Sequence, residues 1–409
     1  MKKSFILFSA LFILISFLLS QTLFAQPPIK KIIIAPGDKV GLFSPGVQVG
    51  KTLYISGKGD QIPGGGHPAT FPDQVKQCLE NVKSTLKLAG MDMQNVVTAW
   101  VFLDDLNNFA AMNEIFKSYF PKDPPARTTL QVGKIPGDSH IEITCIAYSD
   151  LAERKIVAPP DFVPGKLPFS PGILAGNTLY ISGKGDQLPD GKHPATFPEQ
   201  VKQCLENVGA TLKDAGLSFK NVVWSNVYLD NYENMEAMNK IYSQYFESGN
   251  TPARGTIFVD KMPGDSHVEI TCIATTDLTS RKSIRPSNME PSPTASPAIL
   301  AGDMLYLSAK SGFVPGQGIV VQDLEGQLHQ TFQNLLDGLK EAGLGFEDVV
   351  SANVYLKDLK DFDQMNKIFK QYFSINPPVR TTIQQNAGYE KNNALEQISL
   401  IAARTKKEK

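Results

Sequence analysis

The nine residues LYISGKGDQ fill positions 53–61 and recur unchanged at 179–187. Around them, HPATFP begins at His67 and again at His193, the same interval later, and PGDSH begins at Pro136 and at Pro263, one residue further apart. A third, diverged copy reads ILAGDMLYLSAKSG from Ile299 against ILAGNTLYISGKGD from Ile173, and it continues through DVVSANVYLKDL to PPVRTTIQ. Self-similarity on this scale marks one supersecondary unit copied in tandem. The chain therefore divides into units at 30–150, 158–277 and 292–404, with Pro- and Ser-rich stretches at 158–168 and 285–297 that suit extended joins.

Periodicity gives the elements of one unit. Residues 52–56 form a short β-type run ending at Gly57. Val75, Cys78, Leu79, Val82 and Leu86 follow helical spacing, with Gly90 placed to end the helix. Residues 96–103 read as a buried strand, and Phe109, Met112, Phe116 and Phe120 as the apolar side of a second helix. Residues 128–132 and 141–147 alternate as strands joined by a turn at Gly137 and Asp138, which predicts a closing hairpin. The fold class expected is α+β: an open sheet with two helices on one face. The other sheet face needs a cover that a unit this small lacks. Three such sheets cover one another by closing around a threefold axis, so an intramolecular pseudo-trimer with a central barrel-like core is expected, and with it a monomer.

Residues 1–25 carry two lysines, an apolar run at 5–19 and the small residue Ala25, the pattern of a secretory signal. Export to the periplasm or medium, and no membrane association after cleavage, are the expectations. With 40 Lys+Arg against 41 Asp+Glu there is no electrostatic case for nucleic acid or anionic lipid, which leaves a small molecule as the partner. The four cysteines are two positions copied twice, Cys78 with Cys204 and Cys145 with Cys272. They read as small buried residues, with a Cys78–Cys145 bridge left open. No zinc-type Cys/His spacing and no phosphate loop appears, so neither a metal nor another cofactor is implied. His67 and His193, in Gly/Pro-rich loops, are expected at the solvent surface.

The segment PARTTLQVGKIPGDSHIEITCIA of the first unit and its counterpart PARGTIFVDKMPGDSHVEITCIA in the second resemble the signature of the RidA (YjgF/YER057c/UK114) family. The resemblance covers essentially the whole chain after residue 26. It implies the family's chorismate-mutase-like unit, clefts between units, and cofactor-free hydrolysis of 2-imino acids to 2-keto acids and ammonia. Arg127, Arg254 and Arg380 each open a strand, and a guanidinium there either grips a substrate carboxylate through two parallel hydrogen bonds or makes a structural ion pair. Alternation puts Thr129, and likewise Thr256, on the arginine's side, with Leu130 and Val132 opposite. Glu142 and Glu269 face away from their apolar neighbours, and the resemblance places them in the cleft as catalytic groups that orient or deprotonate water. Asn113, Asn239 and Asn366 lie on the apolar side of the second helix, where they lock a loop or touch the ligand. Gly57 and Gly183 either admit the substrate to backbone amides or serve a turn. Phe43 and Phe169 stand where many relatives carry an aromatic that lines the pocket.

Two classes of function fit: an imine hydrolase, or a non-enzymatic binding protein for small carboxylates. The third unit carries Ala309 for Gly57 and Gly183, Ala295 for Phe43 and Phe169, and Gln397 for Glu142 and Glu269, yet it keeps Arg380. The clefts are therefore expected to be unequal, the impaired one holding a carboxylate through Arg380 without turning it over.

Overall fold

The computed structural model describes residues 27–317, 321–386 and 393–406. The expected signal segment, residues 318–320 and 387–392 and the end of the lysine-rich tail lie outside the described residues. In the first unit the strands are β1 (Lys30–Ile33), β2 (Gly46–Val49), β3 (Thr52–Lys58), β4 (Val96–Leu103), β5 (Ala126–Gln131) and β6 (Ile141–Tyr148), and their order across the sheet is β1-β2-β3-β6-β4-β5. The other units repeat it, from Arg154–Val157 to Val268–Thr275 and from Arg281–Ile284 to Glu396–Ala403. The Pro- and Ser-rich stretches thus fall inside the second and third sheets, between their first and second strands.

Two helices, α1 (Phe71–Leu88) and α2 (Phe109–Tyr119), cover one face. Helix α1 starts because the Thr70 hydroxyl accepts the Asp73 N–H, with Pro72 in the first turn, and ends where Gly90 takes φ +72°. Its stripe of Val75, Cys78, Leu79, Val82 and Leu86 is fully buried, packed with Met112 and Phe116 against Leu53, Ile55, Val101 and Ile143. Each such side chain contributes roughly 1.5–3 kcal/mol.

The predicted hairpin does not form. β5 and β6 are not neighbours: β4 lies between them, parallel to β5 and antiparallel to β6. The α2 crossover brings β5 alongside β4 in parallel, which leaves the other edge of β4 for β6; β6 also pairs with β3. Local alternation could not show this, because strand partners are chosen over distances that the pattern does not encode.

The second face of each sheet meets the other two. Tyr54, Tyr180 and Tyr306 share one cluster with Val97, Val223 and Val350, while Leu130, Ile257 and Ile383 share another. Trp100 and Trp224 meet edge to face at 6.1 Å. The three sheets do not close into one hydrogen-bonded barrel. They remain separate, touching through isolated bridges such as Gln131 with Lys261 and Lys134 with Gln384, so the central core is made of side chains. All four cysteines are free and buried, and Cys78 and Cys204 donate to the Lys58 and Lys184 carbonyls. His67 and His193 are half-buried against Asp60 and Asp186, at 2.9 and 3.0 Å, because those fully buried carboxylates need a partner.

Candidate functional site between the units

The units are joined in a ring by one serine device used three times. The backbone N–H of Arg127 donates to Ser182 Oγ (2.8 Å), that of Arg254 to Ser308 Oγ (2.8 Å) and that of Arg380 to Ser56 Oγ (2.9 Å). Each of these hydroxyls in turn donates to the carbonyl of Ser170, Ser296 or Ser44. The first unit therefore presents its arginine to the second, the second to the third, and the third back to the first. These serines were not singled out in the sequence. Their presence in all three copies, the diverged one included, was the available signal.

This ring order decides which residues share a cleft. Between units one and two, a cleft of about 580 Å³ is lined by Arg127, Thr129, Phe169, Gly183, Lys184 and Glu269, among others. The Arg127 guanidinium is held by Asn113 Oδ1 (2.7 Å) and lies over the rings of Phe116 (4.9 Å) and Phe169 (5.1 Å). Asn113 thus fixes the arginine, and Asn239 does the same for Arg254 at 2.8 Å. The equivalent cleft between units three and one joins Arg380 to Phe43, whose ring is 4.9 Å away, and to Glu142, which accepts the Thr382 backbone N–H. Asn366 Oδ1, next to Met365 on that side, is buried without a partner among the described residues, as are the Thr129 and Thr382 hydroxyls. Arg127 and Glu142 belong to different clefts.

Burial pushes the Glu142 and Glu269 carboxyls up to about 8, against the pull of Arg380 and Arg127 respectively. Each therefore holds its proton at neutral pH. Burial also draws Arg127 down to about 9 and Arg380 to about 10, with Glu269 and Glu142 opposing, so both remain cationic there. Gly57 and Gly183 explain themselves by contact: a Cβ on either would overlap Oε1 of Glu142 or Glu269. The carboxyl lies across the bare glycine backbone.

The third cleft is built differently, and it is Arg254 that faces it. The expectation that Arg380 sits in the impaired cleft is wrong, because the ring passes Arg380 to the intact first unit. Opposite Arg254 stand Ala295, Ala309 and Gln397. The Ala309 methyl fills the place over which a carboxyl lies elsewhere, and Gln397 instead donates to the Thr256 carbonyl (2.9 Å) and Gln385 Oε1 (3.0 Å). The Ala309 N–H bonds directly to the Arg254 carbonyl (3.1 Å), whereas its counterpart on Gly183 bonds to the Thr128 hydroxyl (3.1 Å). A cavity of about 450 Å³ remains beside Ala295, Ala309 and Lys310, but neither Arg254 nor Gln397 lines it. The glycine-to-alanine and glutamate-to-glutamine changes are thus one change, each making room for the other. Among the described residues no cluster of His, Cys, Asp or Glu is arranged to hold a metal ion.

Known proteins resemble single units of this chain. The 2-iminobutanoate/2-iminopropanoate deaminase of Mus musculus is 43% identical over 110 residues, 26% of this chain and 82% of that protein. The Homo sapiens protein of the same name is 42% identical over 115 residues, 28% of this chain and 83% of its own length. The crystal structure of RidA from the Antarctic bacterium Psychrobacter sp. PAMC 21119 is 35% identical, covering 29% of this chain and 98% of that one, with a TM-score of 0.28. The family model described as Endoribonuclease L-PSP matches three times, at 35–149, 164–276 and 287–403. The chain belongs to the RidA family. It is a RidA fusion of three units, and the family signature read at Arg127 to Glu142 and at Arg254 to Glu269 spans, in each case, two clefts of the ring.

Proposed function

We propose that the protein hydrolyses 2-imino acids, or the enamines in equilibrium with them, to 2-keto acids and ammonia in two clefts, Arg127 with Glu269 and Arg380 with Glu142. The observation that carries this is the pairing, twice, of a buried arginine with a buried glutamate from the next unit, a carboxyl that burial raises to about 8. The arginine grips the substrate carboxylate and fixes C2. The unpartnered hydroxyl of Thr129 or Thr382 supplies a further polar contact to the bound acid. The glutamic acid passes its proton to the imine nitrogen, which makes C2 electrophilic. Water adds to C2, the glutamate takes a proton back, and the C–N bond breaks to release ammonia. Relatives named as 2-iminobutanoate/2-iminopropanoate deaminases support the substrate class. No step calls for a metal or other cofactor. One chain then serves as a complete, monomeric assembly, exported by its N-terminal segment.

The test is ammonia and 2-oxobutanoate release from freshly generated 2-iminobutanoate, against the uncatalysed rate. Binding of a stable 2-keto acid without any acceleration would leave only the carboxylate-binding reading. The double variant Gly57→Ala/Gly183→Ala gives a sharper expectation: each new methyl displaces the carboxyl that lies over it, copying the third cleft. Turnover is expected to fall by about 10²-fold or more, the usual share of a general acid–base group. Full turnover in this variant would mean that the observed position of the carboxyls is irrelevant to the chemistry.

A further inference from the structure

Lys58, Lys184 and Lys310 each follow the residue at which the clefts differ, Gly57, Gly183 or Ala309, and the mechanism above leaves them unused. All three are half-buried. A lysine on a protein surface ends in water or in an ion pair. None of these three makes an ion pair among the described residues. Lys310 Nζ meets Met289 Sδ at 3.8 Å. Lys184 lines the same cleft as Arg127 and Glu269. Burial draws each amine down to about 8, opposed at Lys58 by Cys78 and Glu142, and at Lys184 by Asp214, Glu269 and Cys204. A fraction of each is therefore the free base near neutral pH.

An uncharged amine in a cleft where an arginine fixes the carboxylate of a 2-imino or 2-oxo acid is a nucleophile toward the electrophilic C2. We propose that Lys184 and Lys58 form a Schiff base with C2 of the bound acid, so that the substrate nitrogen leaves by exchange with lysine before water enters. The proposal rests on reading the clefts as imine hydrolases. In the first half, the imine nitrogen takes the proton of Glu269 or Glu142 and the lysine lone pair forms the C2–Nζ bond. A proton then passes from Nζ through the carboxylate to the substrate nitrogen, and the C2–N bond breaks to release ammonia. This leaves a protonated lysine imine and an ionised glutamate. In the second half water adds to C2, the C2–Nζ bond breaks, and the 2-keto acid departs with lysine and glutamic acid restored. No electrons are gained or lost.

The third cleft is an internal control. The cavity of Lys310 is lined by Glu290 but not by Arg254, so nothing there fixes the carboxylate of a 2-oxo acid, and Gln397 stands where the other clefts carry the carboxyl; Lys310 should not form the adduct.

The experiment incubates the whole protein with 2-oxobutanoate and cyanoborohydride, which reduces a lysine imine to a stable secondary amine, and maps adducts by peptide mass spectrometry. The same preparation is assayed for 2-iminobutanoate hydrolysis. Adducts are expected at Lys58 and Lys184, at least tenfold above those at Lys310 and at exposed Lys192. Arg127→Ala should strip the adduct from Lys184 and leave that at Lys58. Hydrolysis without enrichment at Lys58 and Lys184 would overturn the covalent step while leaving the hydrolase reading intact. Equal labelling of Lys310, or labelling of Lys184 that ignores Arg127→Ala, would also overturn it. Enriched adducts in a protein that hydrolyses no imine would support the lysine site and remove the hydrolase reading instead.

Discussion

Turnover of 2-iminobutanoate is expected to survive Arg254→Ala almost unchanged and to vanish in the double variant Arg127→Ala/Arg380→Ala. The three arginines look interchangeable in the sequence, since each opens the same strand after a proline. Their surroundings differ. Arg127 and Arg380 face Glu269 and Glu142 of the next unit, while Arg254 faces Gln397 and the Ala309 methyl, with its carbonyl bonded to the Ala309 amide. Each single substitution at Arg127 or Arg380 removes one of two working clefts and should about halve kcat. Removing both strips the carboxylate grip everywhere; truncating one partner of a buried charge pair costs about 2–5 kcal/mol, so the combined loss should be on the order of 10²–10³-fold in kcat/KM or more. Thermal unfolding of each variant separates a folding defect from a lost site. If Arg254→Ala costs as much as Arg127→Ala, all three clefts work and the assignment of two is wrong.

Why that assignment was hidden in the sequence is a matter of range. Helical spacing from Val75 to Leu86 and the strand at 96–103 are local, and both appear where the pattern puts them, as Phe71–Leu88 and Val96–Leu103. Alternation also placed Leu130 and Val132 correctly, in the central core opposite Arg127. The pairing of strands is not local. Reading 128–132 and 141–147 as a hairpin followed from their separation along the chain, yet β4 intervenes. The same blindness set Arg380 beside Gln397, its near neighbour in sequence, when the ring carries it to Glu142. The substitutions at positions 295, 309 and 397 were legible as a coincident set. Their common cause, a carboxyl that tolerates no Cβ beneath it, needed coordinates. Lys58, Lys184 and Lys310 stood in plain view inside the repeated phrase but gave no sign of burial, because a lysine after a strand end is ordinarily solvated.

The second large effect is expected from Glu142→Gln/Glu269→Gln, a change that keeps shape and hydrogen bonding but leaves no proton to give or take. Turnover should drop about 10²–10⁴-fold, the range of a general acid–base group. The pH dependence supplies the stricter check. Burial raises both carboxyls to about 8, above the usual carboxylate range, with the arginines pulling the other way. The acid form is the one that starts the reaction by protonating the imine nitrogen, and it is present below that pKa and lost above it. The carboxyls' contribution to wild-type kcat/KM should therefore fall as pH rises through about 8. The imine loses its own proton as pH rises as well, which contributes a falling limb in the absence of any enzyme group. The glutamine variant isolates every contribution but the carboxyls', both the substrate's and that of Lys58 and Lys184, whose amines lose their protons near 8 and act in the opposite sense. A wild-type profile that falls more steeply than the variant's, with the excess centred near 8, identifies the carboxyls as the proton donors. Were the two profiles to run parallel, the glutamates would be placing water or substrate without exchanging a proton, and proton donation would have to be assigned to another group in the cleft.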